Sequence, residues 1–174
     1  MSFKTDIVEM RMANRFAKYP SAKYRYTERW SEVDKYKRSH SAASCERMVV
    51  EFLNLKGHSA QKVSTQGTHR KGTDYATLGG IIRGKSVYTK GGGTVGASDI
   101  TSSIFGVKCD FELKYSKGDR QSVKQKQFQE RLESSGGFYF IFSDENHFYD
   151  IYQDLMKHEL IKLNKQYHEN NKTL

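Results

Sequence analysis

The sequence predicts an α/β domain, and three observations carry that reading. Residues 41–56 and 122–135 show helical periodicity, and each stretch is stopped by glycine. Residues 100–107 and 108–115 read as two extended runs hinged near Gly106. The apolar run 138–142 then leads into an amphipathic stretch from about Asp144. A chain of 174 residues is long enough for one ordinary domain, or for a domain with a tail. Hydrophobic residues make up 36%, and aromatics 13%, with 11 Tyr and 10 Phe, so a packed core is attainable and a fully disordered chain is excluded. No apolar run approaches the roughly 20 residues of a membrane span, and MSFKTDIVEM lacks the apolar region of a secretory signal. Cys45 and Cys109 form neither a CxxC knuckle nor a disulfide framework. The expectation is a reduced, intracellular, cytoplasmic protein without a membrane partner, as a phage protein acting in its host would be.

Taken in order, residues 1–40 hold the only proline, Pro20, and one or two short helices, with 6–19 a candidate. Residues 11–38 carry nine basic side chains against Glu28, Glu32 and Asp34, interleaved with Phe16, Tyr19, Tyr24, Tyr26, Trp30 and Tyr36. Such an arm can neutralise phosphates and stack on bases, or its rings can dock onto the core. Ser41 is placed to cap a helix running through Lys56, with Gly57 at C′. Cys45, Met48, Val49, Phe52 and Leu53 share one face of it, Glu46 falls within that arc, and Glu51 points to the opposite, solvated side. An extended segment begins at 61–64. Residues 67–96 are rich in Gly, Thr and Lys, with a hairpin expected around 81–88. Gly91-Gly92-Gly93 reads as a loop, and no GxxxxGK[ST] phosphate loop occurs. Between residues 52 and 98 seven basic residues face Asp74 alone. After the strand pair, Ser122 opens a helix in which Val123, Phe128 and Leu132 supply apolar contacts, and Gly136-Gly137 end it. Residues 138–142 suggest a strand buried on both faces. The last helix presents Phe148, Ile151, Tyr152 and Leu155, and the polar tail 164–174 is expected to fray.

Chemistry is suggested by Asp99, Glu112 and Lys114. Positions i and i+2 of a strand share a face, so Glu112 and Lys114 project together while Phe111 and Leu113 face apolar packing. If the two runs pair about Gly106, Asp99 arrives near both. Two carboxylates so close repel unless a cation lies between them, and Mg²⁺, which prefers oxygen ligands and accepts phosphate oxygens, is the expected one. Lys114 would hold or help deprotonate the attacking water and stabilise transition-state charge. The bland alternative is a surface ion pair worth about 0–1 kcal/mol. Glu46, a carboxylate on a core-facing stripe, needs a metal or a base, unless it reaches water at the edge of the face. Gln125 fits the S-x-x-Q capping box with Ser122, which also sets it close to the E-x-K strand. The six histidines offer neither HExxH nor HxxxH spacing, and Cys45 lies on an apolar face, so zinc and thiol hydrolases find no support.

The segments GASDI (96–100), FELK (111–114) and GDRQSVKQKQFQERLESSGG (118–137) resemble, in order and spacing, the VRR-NUC family of the PD-(D/E)xK nuclease superfamily. The likeness covers about residues 41–155. It implies a restriction-endonuclease-like αβββαβ core, with a mixed sheet flanked by helices, and a Mg²⁺- or Mn²⁺-dependent endodeoxyribonuclease. Carried over by position, it makes Asp99, Glu112 and the Leu113 carbonyl metal ligands together with Glu46, Lys114 the catalytic lysine, and Gln125 the motif glutamine. Free-standing small members resemble homodimeric Holliday-junction resolvases acting on branched DNA. Two departures stand out. Ser98 replaces the usual proline, and the 67–96 insertion lengthens the path to Asp99, making Asp74 its distant rival. The domain limits that follow are a basic, aromatic arm (1–40), a nuclease domain (41–160) and a polar tail (161–174). Arg70, Lys71, Arg83, Lys85, Lys90, Lys117 and Arg120 are the candidates for gripping the DNA backbone. The rival readings are a non-catalytic nucleic-acid-binding module and a module whose basic arm binds an acidic protein.

Overall fold

Alternating side chains on three neighbouring strands decide the layers of this protein. The computed structural model describes residues 3–18, 41–63, 68–77, 80–89, 94 and 96–171. Helix α1 (Phe3–Lys18) precedes α2 (Ala42–Leu55), and five short strands follow: β1 (Ser59–Lys62), β2 (Thr68–Arg70), β3 (Tyr75–Thr77), β4 (Gly80–Ile82) and β5 (Val87–Thr89). Then come β6 (Ile100–Ile104), β7 (Val107–Leu113), α3 (Val123–Ser134), β8 (Phe138–Phe142), α4 (Glu145–Leu155) and α5 (Glu159–Asn170). The class is α/β, built on a mixed four-stranded sheet in the order β1-β6-β7-β8. The β1–β6 and β6–β7 ladders are antiparallel, and β7–β8 is parallel through the α3 crossover.

One face of the sheet carries Ile100 and Ile104 from β6 and Val107, Cys109, Phe111 and Leu113 from β7, all buried beneath α1, α2 and α4. The predicted α2 stripe is the other half of this core: Cys45, Met48, Val49, Phe52 and Leu53 are all buried. Rings dominate the contact, with Phe52 5.0 Å from Tyr152 and Phe111 5.2 Å from Phe148, both edge-on. Ser41 caps α2 as expected, and at its other end the Gly57 and His58 N–H groups donate back to Asn54 and Leu53. The opposite face of the sheet is polar and is partly covered by α3, whose Phe128 meets Tyr139 at 6.3 Å. Between β6 and β7 the loop is two residues long, Phe105 (φ 49°) and Gly106 (φ 83°), the geometry of a type I′ turn. A phenylalanine in that region is costly; its ring packs edge-on against His58 at 4.8 Å.

Several expectations are corrected. Helix α1 begins at Phe3, and Phe3, Ile7 and Val8 are buried in the same core as the sheet. The basic and aromatic positions from Tyr19 to Arg38, with Pro20 and Trp30, lie outside the described residues. Glu51 lies outside the buried stripe as expected, but it is half-buried rather than fully solvated, because α1 packs alongside α2 and Arg11 pairs with it. The 81–88 hairpin is not formed: Ile81 belongs to β4, which pairs with β3, and Tyr88 belongs to β5, which pairs with β2. Of the three apolar residues expected to make contacts from α3, Phe128 and Leu132 are half-buried, with Phe128 against Tyr139, but Val123 is 72% exposed. Strand β8 is an edge strand rather than one buried on both faces, since among the described residues β7 is its only strand partner and Ile141 on its α3 side remains open. The polar tail does not fray at 164: it is helix α5 to Asn170, anchored by buried Ile161. No helix of the described residues is long and apolar enough to cross a membrane.

Candidate functional site

The polar face of β7 presents Lys108, Asp110, Glu112 and Lys114 in alternation. The ladder pairs Ile100 with Phe111, so one further step sets Asp99 opposite Glu112. Asp99 Oδ2 accepts the Leu113 N–H at 2.9 Å, which fixes that carboxylate against the backbone between Glu112 and Lys114. Gly96 makes this possible from the other side. Its φ is +87°, and a Cβ there would stand 2.6 Å from the Lys124 carbonyl oxygen, so the chain entering Asp99 runs in direct contact with the first turn of α3. Ser98, where the resemblance expects proline, is buried and donates its hydroxyl to the Ile100 carbonyl at 3.1 Å.

Glu112 is only 2% exposed and is surrounded by donors. The Lys114 ammonium donates to its Oε1 at 2.7 Å, the Gln125 amide donates to the same oxygen, and the Tyr139 hydroxyl donates to Oε2 at 3.3 Å. Burial nevertheless holds the Glu112 carboxyl above the usual carboxylate range, and the charge of Asp99 pushes the same way against the lowering by Lys114 and Tyr139. Tyr139 responds in kind: burial and the Glu112 charge raise its phenol.

Gln125 performs both of the roles open to it. Ser122 and Gln125 form the reciprocal capping box, with the Ser122 N–H donating to Gln125 Oε1 at 2.8 Å. The same oxygen also accepts from Lys114 at 3.3 Å, while the amide nitrogen reaches Glu112. A helix N-terminus, a lysine and a buried carboxylate are thereby joined through one side chain.

Glu46 is not gathered into this group. It is buried on α2 and forms an ion pair with Lys62 of β1, in a geometry that is not that of a hydrogen bond. Because Lys62 lies opposite Ile100, whose side chain belongs to the apolar face, Glu46 approaches from the far side of the sheet from Glu112. Among the described residues no three His, Cys, Asp or Glu side chains converge as a metal-binding group. Asp74, the rival to Asp99, is elsewhere: its Oδ1 accepts the Gly84 N–H at 3.0 Å within the 68–89 segment. Arg70, Lys71, Arg83 and Lys85 are exposed on that segment, and Lys117 and Arg120 are exposed on the loop between β7 and α3. Lys90 lies outside the described residues.

Sequence reasoning missed Tyr139 and Asp110. Asp110 is 1% exposed, accepts from Thr101 Oγ1 at 2.7 Å, and pairs with Lys108 at 2.9 Å. Strand alternation alone would have aligned it with Glu112. Tyr139 could be found only by knowing that β8 lies parallel to β7, with Asp110 opposite Tyr139. The chain matches no protein-family model and no curated protein.

Proposed function

We propose that this protein is a Mg²⁺- or Mn²⁺-dependent endonuclease that hydrolyses phosphodiester bonds in DNA on a restriction-endonuclease-like core, with branched DNA as its preferred substrate and a homodimer as its working form. The observation that carries the reading is the Asp99–Glu112 pair at the end of the β6–β7 hairpin, with the Lys114 ammonium on Glu112. The order α2, β1, β6, β7, α3, β8, with one parallel ladder at the end, is the succession an αβββαβ core requires. The likeness of residues 96–137 to the VRR-NUC segments supports the same reading.

The donor set suits a hard cation. Asp99 and Glu112 offer oxygen alone, with the Leu113 carbonyl beside them in sequence, and the charge of Asp99 opposes ionisation of Glu112. A divalent ion held by these two would reverse that opposition and supply Lewis-acid stabilisation to a phosphate oxygen. The protein's own groups do the rest. The Leu113 N–H orients Asp99. Gln125 and Tyr139 hold the Glu112 carboxylate in one position, so little reorganisation remains for the reaction. Lys114 keeps some solvent access, with its side chain 18% exposed, and can turn its charge toward a phosphate or steady an attacking water.

A second reading, a non-catalytic nucleic-acid-binding module, is favoured by two observations: the Glu112 oxygens already have three donors, and no third acid joins the pair among the described residues. Cleavage separates the two. Wild-type protein with Mg²⁺ or Mn²⁺ should nick four-way-junction DNA in preference to linear duplex, and Glu112→Ala should not. Equal cleavage by both proteins would dismiss the site, and binding without cleavage by the wild type would favour the second reading.

A further inference from the structure

The 67–96 insertion is an ordered ribbon in its described part. Strands β2 and β5 pair as one rung and β3 and β4 as the next, and neither pair joins the main sheet. Between the rungs the two chains touch backbone to backbone: a Cβ on Gly72 would stand 2.5 Å from the Gly84 carbonyl carbon, and a Cβ on Gly84 would stand 2.3 Å from the Thr73 oxygen. Asp74 closes the crossing by accepting the Gly84 N–H. Residues 68–77 and 80–89 therefore pair as one two-stranded arm, pinched at its middle, rather than as two unrelated pairs of strands.

What this arm displays is unusual for a surface. Beyond the pinch, Ile81 is 72% exposed and Ile82 59%, and since neighbours on a strand face opposite ways, each side of the ribbon offers one isoleucine. At the pinch stand Arg70, Lys71, Arg83 and Lys85, all exposed, and the only carboxylate of the arm, Asp74, is turned to its own backbone. A two-stranded ribbon has the width of a DNA groove. Cations set back from a pair of bare aliphatic side chains match a ligand with phosphates on its outside and stackable base faces within. A lipid surface or an acidic peptide would also meet the charge, but neither needs a narrow arm with an aliphatic group on each side.

We infer that the 68–89 ribbon is a DNA-engaging arm whose Arg and Lys side chains hold backbone phosphates while Ile81 and Ile82 wedge against an unstacked base step. Inserted aliphatic side chains separate neighbouring bases at the expense of stacking, which is least at a junction, where stacking is already interrupted. The arm thereby selects branched over continuous duplex DNA before any bond is cut. The inference rests on the proposed reading only in taking DNA as the ligand; it does not require cleavage.

The test uses the full chain, EDTA to prevent turnover, and a four-way junction carrying 2-aminopurine at the branch, with linear duplex of the same length beside it. Wild-type protein should raise the 2-aminopurine fluorescence and prefer the junction. The Ile81→Ser/Ile82→Ser variant should keep its linear-duplex affinity and its melting temperature. It should lose the fluorescence rise and about fivefold or more of the junction preference. Arg83→Gln/Lys85→Gln should weaken both DNAs alike and reduce the salt slope by about 0.9 for each phosphate no longer neutralised. An isoleucine variant that still brightens and still prefers the junction would overturn the wedge, and so would wild-type protein that binds neither DNA. Failure of the nuclease reading looks different: DNA that binds and brightens as stated yet is never cut when Mg²⁺ is restored.

Discussion

Because Gln125 belongs to two structures at once, substitutions at the two ends of its capping box should have unequal costs. Ser122→Ala removes the hydroxyl that accepts the Gln125 N–H at 3.2 Å but leaves the reciprocal bond from the Ser122 N–H. Loss of an N-cap oxygen costs about 1 kcal/mol, or about 2–4 °C of melting temperature in a chain of this size. Gln125→Ala removes the other cap bond, the acceptor for Lys114, and the amide donor to Glu112. A hydrogen bond to a charged group is worth about 1.5–3 kcal/mol, and at 2% exposure Glu112 has little water to replace it. The total is about 2–4 kcal/mol, about two to four times the effect of the serine change.

The pH dependence sharpens this expectation. Burial raises the folded Glu112 carboxyl above its unfolded value, so its contribution to stability is present at low pH and is lost as pH rises through the folded value. The Gln125 donor offsets part of that loss by favouring the ionised form. Thermal unfolding followed by circular dichroism should therefore show the Gln125→Ala deficit larger at pH 8 than at pH 4, with the Ser122→Ala deficit nearly flat. Equal deficits at both pH values would refute the double role of Gln125.

Other outcomes can be checked on the same instrument. His58 is buried, pushed down to about 4 by that burial and by Lys56, and its Nε2 lies 3.0 Å from the Tyr152 hydroxyl. A folded value below the unfolded one contributes stability above the unfolded pKa that is lost as pH falls through about 4, here at most about 3 kcal/mol. His58→Gln should flatten that acid limb, and an unaltered limb would contradict the assignment. Gly96→Ala brings a Cβ within 2.6 Å of the Lys124 oxygen at a φ of +87°, and should lower stability by about 1–3 kcal/mol. A melting temperature equal to wild type would show that the approach to Asp99 is not held against α3.

Much of the fold was legible because local rules and tertiary packing agree in it. The α2 stripe from Cys45 to Leu53, both helix caps, the turn at Gly106 and the E-x-K strand were all readable from periodicity and turn chemistry. The Asp99–Glu112 juxtaposition followed from counting along the hairpin. What escaped depends on contacts distant in sequence. The Arg11–Glu51 ion pair is not visible in the sequence, because nothing local announces that α1 comes beside α2. The 138–142 run looked doubly buried because its composition does not reveal its place at the sheet edge. In the insertion, short strands with weak alternation left the register open, and the backbone contact of Gly72 with Gly84 sets the pairing instead. The helical wheel left Glu46 open between a partner and water, and the resemblance made it a site acid; neither tells which face of the sheet the helix covers.

Manganese binding measured by electron paramagnetic resonance, with no DNA present, addresses the central claim without passing through catalysis. Wild-type protein should take up Mn²⁺, and Asp99→Asn and Glu112→Gln should each weaken uptake by at least about tenfold. The Ile81→Ser/Ile82→Ser variant should match wild type. Absence of uptake by the wild type, or uptake that survives both carboxylate substitutions, would contradict a metal site at the end of the β6–β7 hairpin.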